Sequence, residues 1–352
     1  MKDRKKGREF KRKLRTNFKR KRAVPFYDSS KEERYYTKED IFISRMASIL
    51  RVSKAQIVPI FSQRARTTIR LNSLKARPQD TFKSLKLRGY VLEEIPWAPN
   101  TYFVNNRDKD EVSQTEEYRN GQFYIQNLSS ILDTLVLDPK PKETIVDLCS
   151  APGSKSTHIA QLTNNKATIL ANEIEVSRTN SLRNVVEQFG ATSVKITLSD
   201  AREFGRKYPD YFDKVLLDAP CSGEGMIYLK GPKPLRFWSI KKVKGSSTLQ
   251  KELIESAFRT LKSGGTLVYS TCTLEPEENE AVVTHLLDKH KNAKVVDIDL
   301  VNSDKFKAFK QFTSPGITHW SGNTYDPSVK KSIRILPSPE MMGFYIAKIV
   351  KA

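Results

Sequence analysis

The feature that most constrains the fold is a regular alternation of short apolar runs and helical segments after Gly121. Strand-like runs of four to six residues cover 144–148, 168–171, 193–198, 214–217 and 266–270, and a longer one covers 343–350. Helical segments lie at 126–137, 155–162, 178–189, 249–261 and 277–289. Apolar strands that alternate with helices predict a mainly parallel sheet covered on both faces. We therefore expect a doubly wound α/β domain over residues 118–352, with its ligands at the carboxyl ends of the strands.

Two segments precede this domain. Residues 1–22 contain thirteen Lys and Arg but only two acidic residues, so we expect a solvated basic arm over residues 1–24. Such an arm suits contact with RNA phosphates; a solubilising tail or a nuclear-import signal is the alternative. Residues 25–117 combine a helical pattern at 41–50 with a strand-like pattern at 67–72. They predict a small α+β module that positions RNA, although an ordinary packing domain fits these residues equally well.

Composition and charge narrow the class of protein. The net charge of +21 favours a nucleic-acid partner. No apolar run reaches the length of about 18 residues that a membrane-spanning helix needs. The chain has three cysteines and no C-x-x-C pair, and its four histidines lack ligand spacing, so we expect neither disulfides nor a metal. We expect a monomeric cytoplasmic protein, or a nuclear or nucleolar one in a eukaryote.

A short loop after the first strand of this domain predicts a cofactor site. It follows Asp147, opens a helix and has the sequence Leu148-Cys149-Ser150-Ala151-Pro152-Gly153-Ser154-Lys155. Small residues and glycine let a backbone approach a ligand closely, but the loop is neither a dinucleotide fingerprint nor a P-loop. Acids follow the next three strands, at Glu173, Asp200 and Asp218. An acid after the second strand suits a ribose, and one after the third suits an adenine amine, so we expect S-adenosylmethionine.

Two further loops carry the remaining cysteines. Asp218-Ala219-Pro220-Cys221-Ser222-Gly223 follows the fourth strand, and Ser270-Thr271-Cys272-Thr273-Leu274 follows the fifth, ahead of Glu275-Pro276-Glu277-Glu278-Asn279-Glu280. Because both cysteines come directly after strands, we expect them to face one crevice. A buried cysteine is usually an inert small apolar residue, yet all three in this chain fall in strand-end loops.

In these three motifs the sequence resembles the Nop/Sun (RsmB/RsmF-like) RNA cytosine-5 methyltransferases. The resemblance runs from about Arg70 to the C-terminus and includes the family's Arg-x-Asn at Arg70 and Asn72. Ser154 departs from it where a second glycine is usual, and Met342 where an acid is common. The resemblance implies a Rossmann-like class I methyltransferase fold with a seven-stranded sheet.

The resemblance also implies residue roles. Cys272 would attack C6 of cytosine, Cys221 would serve as the base that allows release, and Asp218 would hold the N3/N4 edge, with Lys155 near both ligands. Arg70, Asn72 and Arg178 are the candidates for RNA contact. The reversed order, with Cys221 as nucleophile, is the alternative found more generally in DNA enzymes.

Two other functions compete with this interpretation. An amino-group methyltransferase typically carries Asn/Asp-Pro-Pro-aromatic after the fourth strand, whereas this chain has Asp218-Ala219-Pro220-Cys221. A non-catalytic RNA-binding or ribosome-assembly protein on the same fold would not need both cysteines and the full cofactor loop. We expect ribosomal RNA rather than tRNA as substrate, because a long basic arm suits a large folded polyanion.

Overall fold

The computed structural model describes residues 24–25 and 35–352, with only the backbone of 24, 25 and 35. All but the last residue of the predicted basic arm therefore lies outside the described residues. In residues 24–58, strand β1 (Val24–Pro25) pairs antiparallel with β2 (Tyr35–Tyr36). The helix Lys38–Leu50 follows a Thr37 capping box and ends at Arg51 in the left-handed conformation. Its apolar side buries Phe42, Met46 and Ile49, as the sequence pattern predicts. A second helix, Lys54–Ile60, follows it.

A four-stranded antiparallel sheet forms the first part of residues 59–352. Its order is β4-β5-β3-β6, where the strands are β3 (Thr68–Leu71), β4 (Leu92–Glu94), β5 (Thr101–Val104) and β6 (Phe123–Ile125). The accompanying helices are Pro78–Leu87, Lys109–Ser113 and Glu116–Arg119. Ile69, Leu85 and Phe123 lie in its small apolar core. This sheet extends to Ile125, past the boundary predicted at residue 117.

The second sheet contains nine strands, in the order β13-β16-β17-β11-β10-β7-β8-β9, and β12 also pairs with β17. The five parallel strands are β7 (Thr144–Asp147), β8 (Thr168–Glu173), β9 (Val194–Leu198), β10 (Phe212–Asp218) and β11 (Leu261–Thr271). The antiparallel strands are β12 (Ala293–Val296), β13 (Thr313–Pro315), β16 (Ile333–Ile335) and β17 (Phe344–Lys351). The predicted Rossmann-like fold is confirmed, and two short strands, β13 and β16, extend the predicted seven-stranded sheet at one edge.

Helices cover both faces of this sheet. They are Leu128–Leu137, Ser154–Leu162, Val176–Gln188, Phe204–Lys207, Ile240–Arg259, Glu280–Lys289 and Asp299–Asn302. Short 3-10 helices occupy Ala201–Glu203, Glu224–Met226, Asp304–Phe312 and Pro327–Lys331, and a small hairpin joins β14 (His319–Trp320) to β15 (Asn323–Thr324). Neighbouring residues of one strand enter different cores, such as Ile145 in one and Val146 in the other. Burial on both faces explains why these strands read as continuous apolar runs.

The carboxyl ends of the parallel strands meet at one edge. Asp147 ends β7, Glu173 ends β8 and Asp218 ends β10. Asp218 is in register with Ser270 on β11, one residue before that strand ends. The loops that carry the three cysteines therefore start side by side.

Candidate active site

The loop after β7 is a tight turn held by its own backbone. The Ser150 hydroxyl donates to the Asp147 carbonyl at 2.7 Å, and the Gly153 amide donates to the Ser150 carbonyl at 2.7 Å. Gly153 has φ +111°, and a Cβ there would lie 2.9 Å from Leu182 Cδ1. Only glycine fits this position, because the turn needs positive φ and the helix Val176–Gln188 packs directly against it.

Two buried acids next to this turn retain unused acceptors. Asp147 accepts from the Ser156 hydroxyl at 2.6 Å through Oδ2, and Glu173 accepts the amides of Ile174 and Glu175 at 2.8 and 3.1 Å through Oε1. Asp147 Oδ1 accepts no hydrogen bond from any described residue; Glu173 Oε2 accepts none either, but it forms an ion pair with the Arg178 guanidinium at 3.2 Å. Burial raises the pKa of Asp147 to about 6.

These acceptors fit an adenosyl ligand. A buried carboxylate oxygen without a hydrogen-bond donor is costly. The hydroxyls of a ribose would add hydrogen bonds at Glu173, whose Oε2 has only the ion pair with Arg178. The predicted cofactor residues Cys149 to Lys155 and Glu173 therefore lie together, with Asp218 beyond them at the end of β10.

The side chains of Asp200 and Arg178 both contact other groups of the protein. Asp200 caps the helix Ala201–Glu203 and holds the Arg202 guanidinium at 2.6 Å, which lowers the pKa of this carboxyl. Arg178, a predicted RNA contact, donates to the Ala151 carbonyl at 2.8 Å and lies 3.2 Å from Glu173 Oε2. Arg178 thus belongs with the cofactor loop in this geometry.

A charge cluster lies below the end of β10. Lys155 Nζ donates to Asp218 Oδ2 at 2.5 Å and lies 3.7 Å from Asp133 Oδ2. The Ser270 hydroxyl lies between the two acids, 2.9 Å from Asp133 Oδ2 and 3.3 Å from Asp218 Oδ1. Burial alone would lower the pKa of Lys155, but Asp218 and Asp133 outweigh it and raise that pKa. Burial raises the pKa of Asp133 to about 7. The cluster thus keeps Lys155 charged and its neighbour Asp218 oriented.

The two predicted catalytic cysteines are in contact. Their Sγ atoms are 3.1 Å apart, and both side chains are half-buried. The hydrogen bond with Cys272, together with burial, raises the pKa of Cys221 well above its usual range. Cys221 therefore holds its proton. Cys149 lies apart from this pair, and burial raises its thiol pKa strongly as well, so it has the character of an inert packing residue.

Hydrogen bonds of Asn279 and Arg334 fix the backbone on both sides of Cys272. The side chain of Asn279 accepts from the Thr271 hydroxyl at 2.6 Å and donates to the Thr273 carbonyl at 3.1 Å, so it spans both sides of Cys272. Glu280 pairs with the buried Arg334 at 2.6 and 2.7 Å, and Arg334 donates to the Leu274 carbonyl at 2.9 Å. The motif through Glu280 therefore fixes the backbone on which Cys272 sits.

Two fully buried glutamates join the cysteine loops. Ser222 follows Cys221 in the chain. Its hydroxyl lies 2.8 Å from Glu224 Oε2, and its backbone amide donates to Glu278 Oε2 at 3.0 Å. Glu224 also accepts from Thr273, next to Cys272, and Glu278 accepts from Gln250 at 2.8 Å. Burial, followed by the charge of Glu224, raises the pKa of Glu278 to about 8. Glu278 therefore keeps a proton at neutral pH.

Arg70 and Asn72, the other predicted RNA contacts, are buried instead. Arg70 donates to Gln126 Oε1 at 3.0 Å and also bonds Gln161 and Thr157. Asn72 donates to the carbonyls of Gly121 and Phe189 at 2.8 and 2.9 Å. Both side chains tie the four-stranded sheet to the helices of the larger sheet and do not face solvent, and their contact with RNA stays a prediction.

Three residues of the site were not predicted from the sequence: Asp133, Glu224 and the proton-holding Glu278. Asp133 is the one charged residue of the helix Leu128–Leu137, and that position was a usable signal, because an acid is rarely buried without a partner. Glu224 and Glu278 carry no such signal, since acids in loops are commonplace.

Neither a metal group nor a membrane helix occurs in the part of the chain that the structure describes. Residues 24–25 and 35–352 contain no cluster of three or more His, Cys, Asp or Glu that could hold a metal ion. Over the same residues no helix is both long and apolar enough to cross a bilayer.

Comparison with known proteins identifies the family. The sequence profile of the 16S rRNA methyltransferase RsmB/F family matches residues 134–350, and that of the RsmF N-terminal domain matches residues 39–128. The tRNA (cytosine(49)-C(5))-methyltransferase of Pyrococcus abyssi is 42% identical over 81% of this chain and 88% of its own length. The ribosomal RNA small subunit methyltransferase F of Shewanella loihica is 36% identical over 85% of this chain. This chain spans 59% of the length of that second relative.

A solved structure agrees with these matches. The methyltransferase homolog protein from Pyrococcus horikoshii is 31% identical, with a TM-score of 0.75 over 89% of this chain and 95% of its own. Both the sequence profiles and the fold thus point to one group of enzymes. The chain belongs to the RsmB/F family of RNA methyltransferases.

Proposed function

We propose that this protein transfers a methyl group from S-adenosylmethionine to C5 of a cytosine in RNA, through a covalent bond between Cys272 and C6. The observation that carries the proposal is the 3.1 Å contact of the Cys221 and Cys272 sulfurs, beside the Lys155–Asp218 pair at 2.5 Å. S-adenosylmethionine, when bound, supplies an electrophilic methyl group. The loop from Cys149 to Lys155 would hold it, with the Glu173 carboxylate on the ribose and Asp200 beside the adenine.

The first step uses the Cys272 thiolate. Its sulfur adds to C6, the C5–C6 double bond opens, and C5 becomes nucleophilic enough to take the methyl group. Asp218 would hold the N3/N4 edge of the ring while charge develops there, and Lys155 would keep Asp218 in place. The raised pKa of Cys221 supports this order, because a thiol that keeps its proton is the weaker nucleophile.

The second step releases the RNA. A base must remove the proton from C5, after which the bond between Cys272 sulfur and C6 breaks and the aromatic ring returns. Cys221 is the candidate for this base, since its sulfur lies beside Cys272. Before it can act, Cys221 must give its own thiol proton to solvent. The thiolate then takes the proton from C5, and the raised pKa makes that thiolate a strong base.

The substrate must present the cytosine outside a stack. A paired base hides C5 and C6, so the target is single-stranded or flipped from its helix. Ribosomal RNA is our proposed substrate on account of the basic arm, with tRNA as the alternative. The named relatives include one enzyme for each class. Bisulfite sequencing of total RNA, incubated with and without the protein, identifies both the RNA and the position.

A covalent-trapping experiment tests the roles of the two cysteines. We expect Cys221→Ala with S-adenosylmethionine to accumulate a protein–RNA adduct that survives a denaturing gel, because attack proceeds while release stalls. Cys272→Ala should form no adduct and no methylated product. The native protein, which keeps both thiols of the pair, is the control and should accumulate no adduct.

The opposite result would reassign the nucleophile. An adduct from Cys272→Ala and none from Cys221→Ala would make Cys221 the attacking group. Calorimetric titration with S-adenosylmethionine accompanies each variant, and retained cofactor affinity shows that the fold has survived the substitution.

A further inference from the structure

A cavity of about 370 Å³ opens beside the 3-10 helix Glu224–Met226, which follows the Cys221 loop. This volume falls within the usual range of ligand pockets, about 300–1,000 Å³. One wall is the segment from Gly225 to Tyr228, which follows the Cys221 loop, and the Gly225 amide donates to the Cys272 carbonyl at 2.9 Å. None of the predicted cofactor residues lines this cavity. It is therefore a neighbour of the catalytic pair and distinct from the cofactor loop.

A buried side chain in the cavity wall has a hydrogen-bond donor with no partner. Gln126 lines the cavity and is 4% exposed, and its Nε2 bonds no described residue. The orientation of the amide is set by Arg70, whose Nε donates to Gln126 Oε1 at 3.0 Å. The free Nε2 is thus a donor, and burying it without an acceptor is unfavourable unless a ligand supplies one.

The side chains that line the cavity carry positive charge, which favours an anionic ligand. Arg64, Arg66 and Lys109 line the cavity, and no acidic residue does. Arg66 is held by Glu93 and Asn105. Arg64 and Lys109 are exposed and pair with no carboxylate among the described residues. Two cations therefore remain to bind a phosphate.

The cavity also offers a stacking surface. The Arg64 guanidinium lies over the Tyr228 ring, 4.6 Å from its centroid. Bases of single-stranded RNA stack on both aromatic rings and guanidinium planes. A base, a hydrogen-bond acceptor and a phosphate are the three parts that this lining can bind together.

We propose that this cavity binds the nucleotide adjacent to the target cytosine in the RNA chain. The base stacks on the Arg64–Tyr228 pair and accepts from Gln126 Nε2, while its phosphate contacts Arg64 and Lys109. This inference rests on the proposed function, because it takes the neighbour of a cytosine held at Cys272 as the ligand.

Steady-state methylation of the RNA identified by bisulfite sequencing tests the proposal. The probes are a short single strand containing the target, and two copies that lack the base on the 5′ or the 3′ side of the cytosine. We expect Tyr228→Ala to raise KM for the intact strand about tenfold, in the range of one stacked base, with kcat changed far less. One of the two abasic strands should raise KM for the native enzyme by a similar factor, and Tyr228→Ala should add little to that rise.

Two further variants separate binding from folding. Gln126→Glu retains an acceptor for Arg70 but removes the donor into the cavity, so KM should rise several-fold while the unfolding midpoint is maintained. Lys83→Ala removes an exposed lysine of the helix Pro78–Leu87 and serves as the charge control, with an unchanged KM.

The outcomes distinguish this inference from the proposed function. If the native enzyme methylates the intact strand, but the abasic strands and Tyr228→Ala give the native KM, the inference is wrong and the proposed function stands. An additive effect of Tyr228→Ala and the abasic site would also contradict it, since the two changes would then act at different places. If the native enzyme methylates no RNA, both are wrong.

Discussion

Among single residues near the active site, Glu278 has a pKa far above its ordinary value. Its carboxyl is fully buried, bonded to Ser222 and Gln250, and close to a second buried glutamate, Glu224. The Ser222 hydroxyl has one proton but lies within bonding distance of a carboxylate oxygen of each glutamate. A proton on Glu278 that is donated to Ser222 satisfies all these contacts, in agreement with a pKa raised to about 8.

This ionisation predicts how stability depends on pH. The folded protein keeps a proton on Glu278 that the unfolded chain loses above its ordinary pKa of 4.5. Between pH 4.5 and 8 the folded state thus binds more protons, and the free energy of unfolding falls as pH rises. Glu278→Gln copies the protonated form and does not titrate. We expect the difference in free energy of unfolding, Glu278→Gln minus native protein, to increase by about 1–3 kcal/mol from pH 5 to pH 8. Urea denaturation at each pH measures it.

Glu187→Gln is the control for this measurement. Glu187 is exposed, so its replacement should leave the pH dependence of stability as in the native protein. Parallel pH curves for Glu278→Gln and the native protein would show that Glu278 is ionised in the folded state, against our prediction.

At the scale of elements, the crossing of two backbone segments decides where the Cys221 loop lies. A Cβ on Gly225 would lie 1.8 Å from the Gly343 carbonyl oxygen, just before β17. The obstacle is backbone, which cannot rotate away as a side chain can. We expect Gly225→Ala to lower the free energy of unfolding by about 2 kcal/mol or more, and to lower kcat, because Gly225 also bonds the Cys272 carbonyl.

Gly245→Ala provides the matched comparison. Gly245 is an exposed residue of the helix Ile240–Arg259, and a Cβ there meets no atom within 4 Å. Alanine at this position should raise stability by about 0.5–1 kcal/mol. Thermal unfolding monitored by circular dichroism measures the stability of both variants. Equal changes in stability would show that the close approach of Gly225 to Gly343 does not cause the destabilisation.

The same scale separates what the sequence could predict from what it could not. The strands β7, β8, β10 and β11 were predictable, because strands buried on both faces are continuous apolar runs, and their order places the cysteine loops side by side. The short antiparallel strands β4, β5, β12 and β16 were not, since three or four residues give no reliable period. The helix Ile240–Arg259 was predicted only from residue 249, because its first half is exposed, basic and contains Gly245. Side-chain contacts between distant segments, such as Arg70 with Gln161, leave no local pattern.

At the scale of the whole molecule, the positive charge is unevenly distributed. Residues 1–22 carry a net charge of +11 out of +21. Deleting these residues should weaken RNA binding and flatten the dependence of log Kd on log salt concentration, because fewer counterions are released. Affinity for S-adenosylmethionine should not change, since every candidate cofactor residue lies after residue 148.

Fluorescence anisotropy with a labelled RNA, at several salt concentrations, measures this slope for the full chain and the shortened one. The same slope for both proteins would mean that the arm contributes solubility and no phosphate contacts. A shortened protein that also loses cofactor affinity would point to damage beyond the arm.

The buried glutamates Glu224 and Glu278 link the two cysteine loops, so neither loop can be exchanged without the other. Ser222 from one cysteine loop and Thr273 from the other both bond Glu224, while Glu278 returns to Ser222. Replacing one loop alone would therefore leave a buried carboxylate without one of its hydrogen-bond donors. The two loops, and the two thiols that they carry, therefore have to be exchanged together.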